Sequence, residues 1–256
     1  MRIATLHTGA LHESTLSYAI RNVCAARALA RSWAADVVAV AVYWDVGPTL
    51  PAGWCAEFDH AQTLPWNAAA PGATVTDRHQ RNAWTALRRA VDAGLGLGAT
   101  WMFRVRFDAH VEAFPVARIA HWSTDCVYTF RNYWGFPSDN VDLFPAHAGR
   151  VLFDPALPDP LGEYALVVAA AKAELRFCWV RASVWLFKPE RAVLGVGNGS
   201  VGVRHWMPPP HPLVAVSQPA AGFDPGKYAR DRSRHESWPT YAQAPLPRLE
   251  QQWHLF

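Results

Sequence analysis

The features that mark several large protein classes are missing from this 256-residue chain. Its four cysteines contain no C-x-x-C pair, which excludes a zinc ribbon or a redox motif of that spacing. There is no G-x-x-x-x-G-K-[ST] phosphate loop and no G-x-S-x-G nucleophile elbow, which argues against a P-loop ATPase and an α/β-hydrolase. No apolar run approaches the roughly 18 residues of a membrane-spanning helix, so we expect no integral membrane segment.

Charge is also scarce. Charged residues make up 18% of the chain, and only three of its 24 basic residues are lysine. Because the net charge is +3 and no dense basic run exists, we expect no nucleic-acid partner. The basic residues are mostly arginine, which binds phosphate and carboxylate through two parallel hydrogen bonds.

The cysteines also bear on location. Cys24 and Cys178 lie in apolar runs, and we expect both to be buried free thiols. The first residues lack the apolar core of a signal peptide. Together these features favour a cytoplasmic protein.

What remains is the composition of a folded α/β protein, with 51% hydrophobic residues. Residues 3–6 predict a strand, with residues 7–9 as its turn, and Ser14 then caps a helix over 15–33. The β-branched run 36–44 predicts a strand buried on both faces. Strand, helix and strand in this order make a βαβ unit with parallel strands. Further predicted elements are a helix over 77–93, strands over 101–107 and 126–130, a short helix and then an extended piece within 141–153, a helix over 161–175, and a strand or helix over 177–187.

These elements predict one Rossmann-like α/β domain with a mostly parallel central sheet flanked by helices. Residues 1–190 form the predicted core, and residues 191–256 form an irregular, proline-rich extension that packs on it. Residues 46–76 show no clear period and are expected to form a long loop, which in a compact domain is more often functional than idle.

Ligands of parallel α/β sheets bind beyond the carboxyl ends of the strands. Polar groups follow three predicted strand ends: Thr8 with Gly9, then Asp45, then Asp108. The spacing of Asp108 and His110 allows a carboxylate oxygen and an imidazole nitrogen to bind one Mn²⁺ or Mg²⁺. The competing interpretation is that Asp108 caps a turn and His110 is a surface residue.

Several segments resemble the nucleotide-sugar glycosyltransferases of the A-type fold. The run 103–108, Phe-Arg-Val-Arg-Phe-Asp, is similar to their R-x-R-x-D strand, and most similar to the group with WavE-like polysaccharide and lipopolysaccharide synthesis enzymes and related viral glycosyltransferases. Residues 3–10, 36–40 and 138–144 resemble the first strand, the second strand and an "sDqfaiG" segment of that group. The third position of the usual Asp-x-Asp metal motif is His110 here.

The resemblance implies a GT-A-like transferase that moves a hexosyl or deoxyhexosyl residue from a nucleotide-diphosphate sugar to a glycan or other hydroxyl acceptor, assisted by Mn²⁺ or Mg²⁺. It implies roles for single residues as follows: Thr8, Gly9 and Asp45 at the nucleoside, Arg81, Arg104 and Arg106 at the phosphates, Asp108, His110 and the late His205 at the metal, and Asp139 or Asp142 as the catalytic base.

Structural alternatives stand beside these roles. Arg104 and Arg106 are also candidates for ion pairs with Asp108 or Asp125, and Asp139 for the cap of a helix after Pro137. For His205 the default interpretation is a loop histidine. Two other functions compete with transfer: a glycan- or nucleotide-binding protein without turnover, and a nucleotidyltransferase.

Overall fold

The structure is a computed structural model that describes residues 1–11, 16–34, 36–45, 53–65, 75–118, 121–131, 137–155, 166, 169–180, 182–186 and 203–206. Within these ranges lie ten strands and three α-helices with defined bounds, and Leu166 and residues 169–172 are also helical. The strands are β1 (Arg2–Leu11), β2 (Asp36–Asp45), β3 (His60–Thr63), β4 (Trp101–Val105), β5 (Ala109–Ala113), β6 (Cys126–Arg131), β7 (Pro137–Pro145), β8 (Arg176–Trp179), β9 (Ser183–Leu186) and β10 (Val203–Trp206). The helices are α1 (Leu16–Trp33), α2 (Val75–Gly96) and α3 (Gly149–Leu152).

Seven strands form the central sheet in the order β3-β2-β1-β4-β7-β6-β8. β3, β2, β1 and β4 lie side by side in this order, and each pairs in parallel with the next. β6 also pairs in parallel with β8. Only β7 runs against its neighbours β4 and β6. β10, β9 and β5 form a separate antiparallel sheet. The predicted α/β class with a mostly parallel, helix-flanked sheet is confirmed.

The two long helices cover the central sheet through different hydrophobic clusters. Leu87 and Val91 of α2 pack in one cluster with Leu6 of β1, whereas Ala26 of α1 packs in a second cluster with Ile3. Successive residues of a strand point to opposite faces, so β1 contributes to both clusters. Among the described residues, no helix combines the length and apolar character needed to cross a membrane.

The predicted turn over residues 7–9 is wrong, because β1 continues through it. Its pairing with β2 extends to Leu11 opposite Asp45. Ten consecutive parallel pairs supply the backbone hydrogen bonds of this segment, so its polar side chains do not end the strand. Thr8 and Gly9 therefore belong to a strand, and Ser14, the predicted cap of α1, lies outside the described residues.

The prediction for residues 141–153 had its two parts in the wrong order. The extended piece comes first, as β7, and the short helix α3 follows it. Asp139 therefore lies in a strand, and the cap of a helix after Pro137 is excluded. The polar residues of β7 obscure the alternation that is typical of a strand. Pairing with β4 on one side and β6 on the other holds β7 in the sheet.

Other expectations changed less. Residues 46–76 include the strand β3 and a 3-10 turn over Trp54–Glu57, and the run 177–187 divides into β8 and β9, which belong to different sheets. Leu166 and residues 169–172 are helical, as predicted. The boundary at residue 190 stays a prediction, and the described residues beyond it form β10, which pairs with β9.

Cys24 is exposed, which contradicts its expected burial, while Cys178 is buried as expected. The buried face of α1 includes Ala19, Val23 and Ala26, and Cys24 points about 100° away from Val23 around the helix.

A glycine contact between α3 and α2 provides a test of the fold. A Cβ atom on Gly149 would lie 2.8 Å from Cγ1 of Val91, whereas one on Gly96 would meet nothing within 4 Å. We expect Gly149→Ala to lower the free energy of unfolding by about 1–3 kcal/mol through overpacking. Gly96→Ala, the matched control, is expected to be neutral or stabilising by up to about 1 kcal/mol in urea denaturation. Equal effects of the two substitutions would contradict this packing of α3 on α2.

Candidate functional site

β1 extends further toward its carboxyl end than β4 does, and this difference leaves space for a turn. The pairing of the two strands ends at Leu6 opposite Arg104. The chain after β4 then turns, with the amide of Ala109 donating to the carbonyl of Arg106 at 3.0 Å and that of Phe107 to the carbonyl of Thr8 at 3.4 Å. We call residues 106–110 the carboxyl-edge turn. It lies beside the end of β1, where a ligand of a parallel sheet is expected.

Gly9 forms part of this junction. Its φ of +141° is a conformation that L side chains rarely adopt, and a Cβ there would lie 3.7 Å from Cδ2 of Phe107. That distance is an ordinary contact, so the backbone angle and not the available space requires glycine. The neighbouring Thr8 is 4% exposed, which leaves little of its side chain to meet a nucleoside.

Asn22 of α1 fixes the carboxyl-edge turn from below. Its side chain is fully buried, its Nδ2 donates to the carbonyl of Phe107 at 2.8 Å, and its Oδ1 lies 3.1 Å from Nδ1 of His110. Because the amide nitrogen is used by Phe107, the oxygen faces His110 and accepts a proton from Nδ1. Neutral His110 is therefore held as the Nδ1–H tautomer, with a lone pair on Nε2.

Arg106 and Asp108 form a two-pronged ion pair on the same turn. Nε and Nη2 of Arg106 donate to the two carboxylate oxygens of Asp108 at 2.9 and 2.7 Å. The side chains are 39% and 26% exposed, so solvent and ligands reach both. This pairing is the structural alternative that the sequence left open, and it holds a guanidinium at the carboxyl edge in a geometry that also suits phosphate oxygens.

Arg104 and Asp142 lie inside the protein instead. They form an ion pair at 2.9 Å with exposures of 3% and 0%, and the guanidinium of Arg104 stands 5.3 Å from the ring centre of Phe153. The phosphate role of Arg104 and the catalytic role of Asp142 stay predictions. The contacts observed for these two side chains are those of a core ion pair.

The remaining predicted site residues are placed less closely together. Arg81 of α2 is half-buried, and its Nη1 donates to the carbonyl of Pro155 at 3.4 Å. Asp45 is the last residue of β2, and Asp139 lies in β7 next to Asn140, whose carbonyl accepts from the amide of Arg106 at 3.1 Å. The backbone of Asp139 thus lies at the carboxyl edge. His205 lies in the strand β10 of the smaller sheet, opposite Val184, so the prediction of a loop histidine is wrong.

Asp108 and His110 have the ligand chemistry of a Mn²⁺ or Mg²⁺ site, but they are only two ligands. Both oxygens of Asp108 are already bound by Arg106. Across the described residues, no three His, Cys, Asp or Glu side chains gather as metal ligands do. The described side chains do not make a complete metal site.

His7 is a second buried polar group near this edge. It is fully buried among aromatic rings, with the Phe107 and Phe58 centres at 6.0 and 6.2 Å, and neither ring nitrogen makes a well-formed hydrogen bond. Burial lowers the pKa of His7 from 6.5 to about 3; the Val105 backbone opposes part of this shift and the charge of Arg27 adds to it. His7 is therefore a neutral part of the core under the turn.

Asn22 and His7 were not predicted as members of the site. The sequence did contain a signal for Asn22. It is a polar residue on the apolar face of α1 that also includes Ala19 and Ala26. A buried amide in such a position requires hydrogen-bond partners, although the sequence does not say which.

No family model matches the chain, and no curated protein matches it. A glycosyltransferase involved in glycosylation of the major capsid of PBCV-1 is similar over 61% of this chain and 68% of its own, at 12% identity and a TM-score of 0.34.

Two further solved structures are similar at comparable levels. A galactosyltransferase in complex with donor and acceptor sugar analogues matches 70% of this chain and 73% of its own, at 9% identity and a TM-score of 0.37. A glucose-1-phosphate thymidylyltransferase from Bacillus anthracis matches 72% and 89%, at 8% identity and a TM-score of 0.42.

The tautomer of His110 gives a direct test of the Asn22 contacts. We expect ¹⁵N NMR of the neutral imidazole to show the proton on Nδ1, because Asn22 offers that nitrogen an acceptor. Asn22→Ala removes the acceptor, so the proton is expected to move largely to Nε2. It also leaves the carbonyl of Phe107 without its donor, which lowers the free energy of unfolding by about 1–3 kcal/mol.

Asn22→Asp is the matched variant for this experiment. It keeps an acceptor for His110 and loses the donor to Phe107, so the Nδ1 proton is expected to remain while stability falls. A proton on Nε2 in the unsubstituted protein would contradict the orientation assigned to the Asn22 amide.

His7 predicts a loss of stability in acid. The pKa of His7 in the folded protein, about 3, lies below its ordinary value near 6.5. Between pH 3 and pH 6.5, His7 is therefore protonated in the unfolded chain but not in the folded chain. The stabilising contribution is complete above pH 6.5 and falls as the pH is lowered, by about 2 kcal/mol between pH 7.5 and 5. His7→Phe is expected to remove that part of the pH dependence in urea titrations at the two pH values. His147→Phe, at an exposed histidine, is expected to retain it.

Proposed function

We propose that this protein is a glycosyltransferase that transfers a hexosyl or deoxyhexosyl residue from a nucleotide-diphosphate sugar to a hydroxyl acceptor. The observation that carries the proposal is the carboxyl-edge turn. An accessible arginine, an accessible carboxylate and an oriented imidazole lie together on it, and a buried asparagine fixes it where parallel sheets bind their ligands. The resemblance of residues 103–108 to the R-x-R-x-D strand supports the same reaction class.

Arg106 has the role of binding the diphosphate. Its guanidinium is held by Asp108 before the donor arrives, so less side-chain freedom is lost on binding. When the bond between the sugar and the diphosphate breaks, negative charge grows on the departing phosphate oxygen. A fixed guanidinium beside that oxygen stabilises the charge as it develops.

The acceptor hydroxyl forms the new bond to the anomeric carbon and must lose its proton. Asp139 is the proposed general base, because its position in β7 is next to the residue that bonds the Arg106 backbone. Gly9 and Asp45 are proposed to contact the nucleoside from the ends of β1 and β2, and Thr8, whose side chain is buried, is proposed to do so through its backbone. Asp108 and His110 stay the predicted ligands of Mn²⁺ or Mg²⁺.

Binding of the nucleotide is the first test. In thermal shift experiments with UDP and GDP, with and without Mn²⁺, we expect at least one of them to stabilise the protein, since a ligand of the native state raises its apparent stability. Arg106→Gln is expected to weaken binding by at least about tenfold, the equivalent of one lost charge-assisted hydrogen bond.

Arg2→Gln is the matched control, because Arg2 also pairs with an aspartate, Asp36 at 2.6 Å, but at the other end of β1. It is expected to leave nucleotide binding unchanged. Absence of a shift with every nucleoside diphosphate, or equal losses in both variants, would refute the donor site.

Turnover separates the transferase from its rivals. Release of nucleoside diphosphate from a donor sugar is expected in the unsubstituted protein and strongly reduced in Asp139→Asn. Nucleotide binding without any release identifies a binding protein. Release of pyrophosphate from a nucleoside triphosphate and a sugar phosphate identifies a nucleotidyltransferase.

A further inference from the structure

A cavity lies at the edge of the central sheet opposite to the carboxyl-edge turn. Its volume is about 390 Å³, within the range of small-molecule sites. Trp101, the first residue of β4, and Trp33, the last residue of α1, both line it. We call it the tryptophan pocket. The carboxyl-edge turn follows the other end of β4, so the two sites are separate.

Three indole rings shape this pocket. Trp122 meets Trp33 edge to face at 5.9 Å and Trp101 at 5.1 Å, with ring planes 82° and 72° apart. Nε1 of Trp122 donates to the carbonyl of Val116 at 3.1 Å, so this polar atom is already satisfied. Trp33 and Trp122 are half-buried, which leaves part of each ring open to solvent. The pocket therefore offers rigid aromatic surface to a ligand.

Polar groups lie beside the rings. Ser32 and His121 line the pocket and are exposed. The hydroxyl of Ser32 donates to the carbonyl of Leu29 at 2.6 Å, and its oxygen lone pairs remain to accept from a ligand. No acidic side chain is found among the described residues that line the pocket.

This combination selects among ligand classes. A cation would bind to the ring faces alone, because the described residues that line the pocket include no carboxylate, and it would leave Ser32 and His121 without a partner in the ligand. A purely aliphatic ligand would cover Ser32 and His121 without giving them hydrogen bonds. A pyranose ring has an apolar C–H face for an indole and hydroxyl groups for the serine and the histidine. We propose that the tryptophan pocket binds a pyranose residue of a glycan.

The proposal depends on the cavity and not on the proposed transferase activity. A site at this edge would hold a glycan away from the point of sugar transfer, as an anchor for a longer chain.

Ligand-observed saturation-transfer NMR with the methyl glycosides of glucose, galactose, mannose and N-acetylglucosamine tests it. We expect at least one glycoside to bind, with the strongest transfer to the protons of one ring face. Trp122→Ala is expected to abolish the signal.

Because Trp122 packs on two other rings, a second variant leaves the core intact. Ala117→Arg adds a long side chain at an exposed position of the lining and is also expected to abolish the signal. Ala61→Arg, at an exposed position of β3, three strands away from β4 in the central sheet, is the matched control and is expected to bind normally.

Three outcomes would overturn the proposal: no glycoside binds, binding survives Ala117→Arg, or tetramethylammonium or adenosine binds the pocket and the glycosides do not. UDP titration of Ala117→Arg is expected to match the unsubstituted protein. Failure of the tryptophan pocket therefore does not alter the donor site, and the reverse also holds.

Discussion

The unequal length of β1 and β4 is the constraint on which the rest of the proposed site depends. β1 pairs with β2 along ten residues but with β4 along only four. Backbone groups at the end of β1 would lack a neighbour on the β4 side, and the carboxyl-edge turn supplies one through Phe107 and Thr8. The ring of Phe107 then covers His7 and closes the core beneath the turn. The apolar contact of Phe107 with His7 therefore holds the turn in place, and the polar residues of the turn, Arg106 and Asp108, reach solvent.

The hydrophobic pattern was sufficient to predict most of the elements on which this arrangement is built. β2, α1, α2, β4 and β6 have strong apolar runs or stripes, and the structure places them within a few residues of the predicted bounds. β3 and β7 were missed because polar side chains interrupt their patterns. In β7, the hydroxyl of Ser138 accepts a hydrogen bond from the amide of Asn140, and the carboxylate of Asp142 accepts one from Arg104. These hydrogen bonds satisfy polar side chains that lie inside the sheet.

The site was predictable only as far as local spacing reaches. Asp108 and His110 are two residues apart and directly follow a buried strand. This was enough to predict that they lie at the carboxyl edge. Asn22 is 85 residues before Phe107 and 88 before His110, and no local pattern reveals such a contact. Arg104 and Arg106 are two residues apart, a spacing that places both side chains on one face of a continuous strand. Because β4 ends at Val105, the alternation stops there, and Arg104 points into the core while Arg106 reaches solvent.

β4 also fixes the distance between the two proposed ligand sites. Trp101 and Asp108 are seven residues apart, so even a fully extended chain separates them by no more than about 25 Å. The first five of these residues belong to β4 and cannot stretch inside the seven-stranded sheet, so only the turn after Val105 could change the separation. A glycan shorter than this distance would occupy either site alone. A longer glycan held by the tryptophan pocket would keep its free end at a raised local concentration near the carboxyl edge, without any new contact there. The separation of an anchor from a transfer site would then favour long acceptors over short ones through geometry alone.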